Sequence, residues 1–206
     1  MIYISIDNDY HFKLASNLIH KLNLMRGMFK IISHNSVRNN NSKWSSFEII
    51  SMDGHPLSDG MSFKRFMSYI KSYFHIINLN QTFIFKKNDI LIIFTEYQLN
   101  NAVFAKKIKK AGGKVYLFDE GIGFYFNNSF YHTQKNSFKK YIFKFIFFLI
   151  RIPVVSKNAH EGVFFSIKDI FIDKIFLRMP IPINRNVPVE IDRKSTRLNS
   201  SHSDRS

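Results

Sequence analysis

The sequence contains no cysteine among its 206 residues. This absence excludes disulfide bonds and thiolate-bound metals, and it fits a protein of a reducing compartment. Acidic residues are also scarce, because 15 Asp and Glu stand against 30 Lys and Arg, which gives a formal net charge of +15. A surface with that balance favours anionic partners: nucleic acid, acidic lipid, or acidic sugars and nucleotides.

Two further absences bear on membranes. No secretory signal peptide is recognisable, because two acidic residues occur within the first nine positions, too early for an apolar segment. The most apolar stretch, residues 141–155, is interrupted by Lys144, Arg151 and Pro153. A membrane span needs about 20 apolar residues, so we expect no transmembrane helix.

Hydrophobic patterning predicts an α/β fold. Apolar runs predict strands at residues 2–6, 29–33, 47–52, 89–96 and 114–120, and helical spacing predicts helices at 9–24, 61–77, 99–113 and 135–152. Two short strands are expected between residues 162 and 179. Because strand, helix and strand follow one another in 89–120, these two strands are predicted to be parallel. We therefore predict a mostly parallel sheet with flanking helices.

Local signals predict where two of these helices begin or end. Asp9 is expected to cap the first helix at its amino end. The pair Gly112-Gly113 is expected to end the helix at 99–113, whose lysines gather in the last turns.

The composition changes abruptly at Asp192. Residues 192–202, DRKSTRLNSSH, resemble one reading frame of a common sequencing-library adapter, and the tail 192–206 has no Phe, Ile, Tyr or Val. We expect this tail to be disordered and adapter-derived, with the domain confined to residues 1–191. The natural protein is then expected to continue past Ile191, and an ordinary disordered tail is the alternative.

Polar residues follow the predicted strands. The strand ends carry Asp7-Asn8-Asp9, Ser33-His34-Asn35, Thr95-Glu96 and Asp119-Glu120. In an open parallel α/β sheet, ligands bind beyond the carboxyl ends of the strands. These side chains are therefore predicted to share one binding edge, although every buried strand must in any case end in something polar.

The adjacent acids Asp119 and Glu120 stand out at this predicted edge. Neighbouring side chains of a strand point to opposite faces, so one acid can face a ligand while the other holds the turn. Gly121 and Gly123 permit a close approach of ligand to backbone. A carboxylate in such a crevice can serve as a general base, and a solvated acidic turn is the alternative.

The stretch LFDEG, with a further glycine and an aromatic residue after it, resembles the Asp/Glu-Asp/Glu-Gly motif of bacterial sialyltransferases and polysialyltransferases. The resemblance covers residues 89–125, including the strand-helix-strand unit before the motif. It implies a GT-B architecture of two Rossmann-like halves, with this chain as the N-terminal, acceptor-side half. It also implies inverting transfer of sialic acid from CMP-sialic acid to a glycan hydroxyl, with no metal and no other cofactor.

The resemblance assigns roles to residues of this chain. Asp119 is expected to deprotonate the acceptor hydroxyl, with Glu120 and Gly121 completing the motif. Residues expected to line the acceptor site are Asp7, Asn8, His34, Glu96, Gly121 and Gly123. The family's His-Pro motif, which contacts CMP, follows the acidic motif, whereas His55-Pro56 precedes it here. We expect the true counterpart to lie beyond residue 191.

Other kinds of site remain open or find little support. Asp7-Asn8-Asp9 matches the metal-binding DxD pattern of GT-A glycosyltransferases, but it follows the first strand, where lining of the acceptor site or helix capping is favoured. No histidine pair has a metal-binding spacing, and no Walker loop, dinucleotide fingerprint or Gly-x-Ser-x-Gly elbow is present. A different capsule or lipooligosaccharide glycosyltransferase and a non-catalytic basic binding module are the alternative functions.

The predicted helix 135–152 is basic and aromatic. Lys139, Lys140 and Lys144 lie among aromatic residues, a pattern typical of helices in a membrane interface. A core helix with snorkelling lysines is the alternative. We expect a cytoplasmic protein, peripheral at the anionic inner membrane surface, acting on an acidic glycan or glycolipid. Nucleic acid is not expected as a partner, because no recognisable binding motif is present.

Overall fold

The computed structural model describes residues 1–34, 47–52, 84–95, 98–119, 169–177 and 187–191, with the short pieces 37, 74–75, 145, 148, 154–155 and 166–167. The elements are β1 (Ile2–Ile6), α1 (Asp9–Lys21), β2 (Phe29–His34), β3 (Ile49–Met52), β4 (Ile90–Ile93), α2 (Leu99–Lys110), β5 (Lys114–Phe118), β6 (Val154–Val155), β7 (Ser166–Ile167), a 3₁₀ turn (Asp169–Phe171), β8 (Lys174–Leu177) and β9 (Val189–Ile191). Most of the predicted helices 61–77 and 135–152 lies outside the described residues.

Seven strands form one sheet in the order β3-β2-β1-β4-β5-β8-β9. All neighbouring strands of this sheet are parallel. β1 and β4 lie side by side at the centre, with β2 and β3 on one side and β5, β8 and β9 on the other. This is the arrangement of a doubly wound Rossmann sheet. β6 and β7 pair separately and antiparallel. The predicted α/β class with a mostly parallel sheet is confirmed, and the strand order is compatible with a Rossmann-like fold.

The two faces of the sheet pack against different helices. Phe12 and Ala15 of α1 lie in a buried cluster with Ile4, Ile6 and Ile92. On the opposite face, α2 packs its apolar side, including Val103, Phe104, Ala105 and Ile108, against a second cluster that contains Leu91, Ile93, Val115 and Leu117. Both faces of the central strands are therefore buried, which explains why β4 is a continuous apolar run.

The helix ends follow capping chemistry, with one correction to the sequence prediction. Asn8, not Asp9, caps α1, because its side chain accepts a hydrogen bond from the His11 N–H. Asp9 is the first residue of the helix, where its charge suits the helix dipole. The Asn8 side chain accepts from the third N–H of the helix, as an N-cap residue does. Asn8 and Asp9 are both favourable N-cap residues, so the sequence alone does not show which of them caps the helix.

The described helices α1 and α2 each end in a Schellman motif. At the end of α1, Asn23 has a positive φ of 50°, and the N–H groups of Asn23 and Leu24 donate to His20 and Ile19 carbonyls. At the end of α2, Gly112 takes that place with φ of 80°. The predicted stop at Gly112-Gly113 is confirmed.

The strand bounds differ from the sequence prediction mainly at the carboxyl ends. β4 stops at Ile93 and β5 at Phe118, because Thr95 and Asp119 already belong to the polar edge of the sheet. The two strands expected between 162 and 179 correspond to β7 and β8. β6 and β9 were not predicted, since each has only two or three residues and too little pattern to recognise.

Candidate functional site

The carboxyl ends of β1 and β4 meet at the centre of the sheet. β2 and β3 lie to one side of this pair, and β5, β8 and β9 lie to the other. Successive strands are therefore added on one side of β1 up to β3, and on the opposite side from β4 onward. In open α/β sheets, the crevice at such a topological switch point is where ligands bind.

Asp7 lies at this switch point, directly after β1, and is only 3% exposed. Its Oδ2 accepts hydrogen bonds from the Thr95 hydroxyl (2.9 Å) and from Asn101 Nδ2 (2.9 Å). Its Oδ1 accepts from Asn100 Nδ2 (3.0 Å). The carboxylate thus joins the end of β1, the second residue after β4 and the first turn of α2. We call Asp7, Thr95, Asn100 and Asn101 the switch-point cluster.

The amide partners of Asp7 are held by further bonds. Asn101 Nδ2 also donates to the Thr95 carbonyl (2.8 Å) and lies 3.0 Å from the Thr95 hydroxyl oxygen. Asn100 Nδ2 also contacts Ser5 Oγ (3.1 Å) and Asn101 Oδ1 (3.1 Å). A buried polar group is costly unless it is hydrogen-bonded, and this network satisfies the buried carboxylate with neutral donors.

His11 lies beside the cluster, in the first turn of α1, and is fully buried. The Asp7 N–H donates to His11 Nδ1 (3.2 Å), while the Asn8 amide nitrogen lies 3.3 Å from Nε2. A neutral imidazole accepts at only one ring nitrogen. The two contacts therefore cannot both be hydrogen bonds to a neutral ring. The ring packs 5.1 Å from that of Phe94.

Asp119 lies at the same edge of the sheet, directly after β5, and is 4% exposed. Its backbone N–H donates to the Phe176 carbonyl (3.0 Å), which extends the pairing of β5 with β8. The rings of Phe118 and Phe176 stack at 4.4 Å with planes 10° apart, which holds the end of β5 in place. Since β5 is two strands from β1, Asp119 and Asp7 are separated by about 10 Å along the edge.

Buried polar residues concentrate at this carboxyl edge. Among the described residues, ten of the eleven buried polar or charged residues lie at or near it, and Asp89 is the exception. His34, the last residue of β2, is one of the ten. Asp7, His34 and Asp119 thus lie at one polar edge of the sheet, with the exposed Asn8 next to Asp7, and their role in binding an acceptor stays a prediction.

Other predicted site residues lie outside the described part of the chain. These are Glu96, Glu120, Gly121 and Gly123, together with the membrane-surface residues Lys139, Lys140 and Lys144 and the dipeptide His55-Pro56. Their roles stay predictions. Within the proposed membrane helix, Phe145 and Phe148 are described; both are helical and exposed.

Sequence reasoning missed His11, Asn100 and Asn101. A signal was present for the asparagines, because two consecutive Asn residues open a helix that follows a buried strand. Asparagine is a poor helix former whose side chain competes for backbone groups, so two of them in a first turn indicate side-chain partners. Nothing in the local pattern around His11 distinguishes it from an ordinary helix residue.

The described residues contain no group of three or more His, Asp or Glu side chains arranged to hold a metal ion. In the same part of the chain, no helix is both long and apolar enough to cross a bilayer. No protein-family model and no curated protein matches this chain.

Proposed function

We propose that this chain is the acceptor-side half of a GT-B glycosyltransferase that builds bacterial surface polysaccharide or lipooligosaccharide. The reaction is inverting transfer of sialic acid from CMP-sialic acid to a glycan hydroxyl. The observation that carries the proposal is the position of Asp119, a buried acid directly after β5 at the carboxyl edge of a parallel sheet. In sequence it is followed by Glu120-Gly121, as in the acidic motif of bacterial sialyltransferases.

In the proposed reaction, the acceptor oxygen attacks the anomeric carbon of sialic acid from the face opposite CMP. The bond from that carbon to the phosphate oxygen breaks, and CMP leaves with the electron pair. Asp119 takes the hydroxyl proton as the new C–O bond forms, so it acts as a general base. The Asp119 N–H bond to Phe176 supports this role by fixing the backbone that carries the carboxylate.

The switch-point cluster has a positioning role in this proposal. Asp7 directs both carboxylate oxygens to donors within the protein, and Asn8 uses its side-chain oxygen to cap α1. These contacts hold the first turns of α1 and α2 against the carboxyl edge, about 10 Å from Asp119. An acceptor hydroxyl must be aligned closely with its general base, because even a small displacement lowers the reaction rate. Rigid support of the carboxyl edge helps to maintain that alignment.

The test is a transfer assay with the product of the full reading frame that contains this chain. The protein is incubated with CMP-sialic acid and a panel of glycans, and mass spectrometry detects the mass of one added sialic acid. Transfer from a uridine or guanosine diphosphate sugar instead would support a glycosyltransferase with another donor. Absence of transfer with every donor, in a folded protein, would leave the non-catalytic binding module as the better assignment.

A further inference from the structure

The two edges of the central sheet differ in charge and polarity. Asp7, Asp9 and Asp119 lie at the carboxyl edge. At the amino edge, where strands begin and helices end, the described acids are paired: Asp89 with the amino terminus, Glu48 with Lys30 and Asp173 with Lys109. The other exposed charged side chains described there are basic, and exposed apolar side chains lie among them. Exposed basic residues there are Lys21, Arg26, Lys86, Lys87, Lys110 and Lys114. Exposed apolar residues there are Met1, Leu22, Met25 and Met28. We call these ten residues the amino-edge surface.

Backbone hydrogen bonds show that this surface is continuous. The Met28 carbonyl accepts from the Ile2 N–H (3.0 Å), the Met1 carbonyl from the Ile90 N–H (3.0 Å), and the Asp89 carbonyl from the Lys114 N–H (2.9 Å). The turn 86–89 closes through the Asp89 N–H, which donates to the Lys86 carbonyl (3.1 Å). The loop after α1, the turn before β4 and the start of β5 therefore lie side by side.

The loop between α1 and β2 is built to expose its apolar side chains. The Met28 N–H donates to the Met25 carbonyl (3.0 Å), and Gly27 has a φ of 92°. A positive φ at the third residue is what a type II turn requires, and it places Arg26 at the tip. Met25 is 64% exposed and Met28 is 46% exposed, on either side of that tip. Clustered exposure of large apolar side chains indicates an interaction surface.

Helix dipoles account for only part of the basic charge. Lys21 and Lys110 lie in the last turns of α1 and α2, where a cation is stabilising in any protein. Arg26 and Lys86 lie in turns outside the helices, whereas Lys87 lies in a turn beside Gly112, just past the end of α2. Helix dipoles also do not explain the exposed apolar side chains of this surface. Cations and apolar side chains that lie together on one surface indicate a partner that is both anionic and apolar.

We propose that the amino-edge surface docks on an anionic lipid bilayer. Leu22, Met25 and Met28 enter the boundary between headgroups and acyl chains, and the cations of Arg26, Lys86 and Lys87 contact the lipid phosphates. Lipid is favoured over nucleic acid because the exposed apolar residues of this surface are aliphatic or thioether side chains. Single-stranded nucleic acid is bound through aromatic side chains that stack on bases, and duplexes are bound through phosphate contacts, to which exposed methionine and leucine contribute nothing.

This docking fixes the orientation of the domain and does not depend on the proposed glycosyl transfer. A strand of five residues spans about 17 Å, so the carboxyl edge and its switch-point cluster would face away from the bilayer by about that distance. A membrane-linked glycan could then reach the carboxyl edge only by extending over the side of the domain. None of the ten residues of this surface belongs to the sequence-predicted membrane segment 135–152.

The experiment is co-sedimentation of the full chain with vesicles of phosphatidylcholine alone or with about one third phosphatidylglycerol added, a content that gives a clearly negative surface potential. Binding is expected only to the anionic vesicles and is expected to weaken as salt shortens the range of electrostatic attraction. Lys86→Gln with Lys87→Gln should lower the partition coefficient about 25-fold, or about fivefold per cation. Met25→Ser with Met28→Ser should lower it several-fold without changing charge.

The matched control is Lys13→Glu, which lowers net charge by the same two units at an exposed position near the carboxyl-edge end of α1. If the amino edge is the contact surface, the partition coefficient of Lys13→Glu should stay within about twofold of that of the unsubstituted protein. All substituted side chains are exposed, so the variants should fold, and circular dichroism checks this. Should the methionine pair unfold, Met25→Gln alone carries the apolar test.

Three results would overturn the proposal. The first is equal loss of binding in Lys13→Glu and in the Lys86, Lys87 pair, which would indicate a response to net charge alone. The second is loss only when Lys139, Lys140 and Lys144 are changed to Glu, which would place the contact on segment 135–152. The third is binding to RNA that competes with vesicles while the methionine variants behave normally, which would identify a polyanion-binding surface.

Discussion

The hydroxyl oxygen of Thr95 lies 2.9 Å from Oδ2 of Asp7, although the two residues are 88 positions apart in the chain. The contact forms because β1 and β4 are parallel neighbours, with Ile4 opposite Ile92. Because β1 and β4 run in the same direction and in register, the residues that follow them lie at the same edge of the sheet. This places a buried carboxylate at the one point of the sheet where the strand order reverses.

We expect Asp7→Asn to destabilise the fold by about 1–3 kcal/mol, the cost of leaving buried groups without a partner. The new amide nitrogen would face donors, because both oxygens of Asp7 now accept hydrogen bonds. Urea unfolding followed by circular dichroism measures the change. Asp9→Asn is the matched control, since Asp9 is exposed two residues away and should lose only its helix-dipole contribution of about 0.3–1 kcal/mol. Equal unfolding midpoints for the two variants would show that the cluster does not support the fold.

If Asp119 is the acceptor base, Asp119→Asn should lower kcat by a factor of about 10² to 10⁴ in the full enzyme. The amide preserves shape but cannot take the proton, so kcat and kcat/KM should fall together. Glu120→Gln should cost less if Glu120 only supports the turn. Asp9→Asn again serves as the control for an acid at the same edge. A folded Asp119→Asn enzyme with normal kcat would remove Asp119 from the mechanism, and an inactive Glu120→Gln would exchange the two roles.

Gly113→Ala should destabilise the protein through crowding. A Cβ at this position would lie 2.5 Å from the Asp89 carbonyl oxygen and 2.6 Å from Ile108 Cγ1. Backbone must move to relieve such contacts, and overpacking of this kind typically costs about 1–3 kcal/mol. Gly27→Ala separates crowding from backbone strain, because Gly27 has a positive φ but open space around its Cβ position. Thermal unfolding should show the larger loss for Gly113→Ala; the reverse order would mean that the turn before β5 is loosely packed.

Tyr3→Phe should remove part of the alkaline destabilisation of the protein. Burial, with the negative charges of Asp89 and Glu48, raises the pKa of the Tyr3 phenol above its ordinary value of 10.0. The folded state therefore prefers the neutral phenol, and its stabilising contribution is complete below pH 10 and lost as the pH rises through the folded pKa. Unfolding midpoints measured from pH 8 to pH 11 should fall less steeply for Tyr3→Phe, whose ring keeps the packing against Phe85. Parallel slopes for both proteins would contradict this, with Tyr10→Phe as the control for loss of an exposed phenol.

Much of the fold could be predicted because its signals are local. The alternation and helical spacing of apolar residues located β1, α1, β2, β4, α2 and β5 to within three residues at their ends. Gly112 predicted the end of α2, since a Schellman motif needs a residue that tolerates positive φ. The cap of α1 was predicted one residue too late, because Asn8 and Asp9 have equivalent capping chemistry and only the backbone geometry distinguishes them.

The sequence by itself determined the α/β class, the basic charge and the polar residues that would end each strand. Only the tertiary structure decided which of those residues meet, because that depends on strand order, and periodicity carries no information about order. Asp7 meets Thr95, Asn100 and Asn101 since β1 lies beside β4 and α2 begins directly above them. The amino-edge surface arises in the same way. The bonds of Met28 to Ile2, Met1 to Ile90 and Asp89 to Lys114 form only when the strands pair in parallel register.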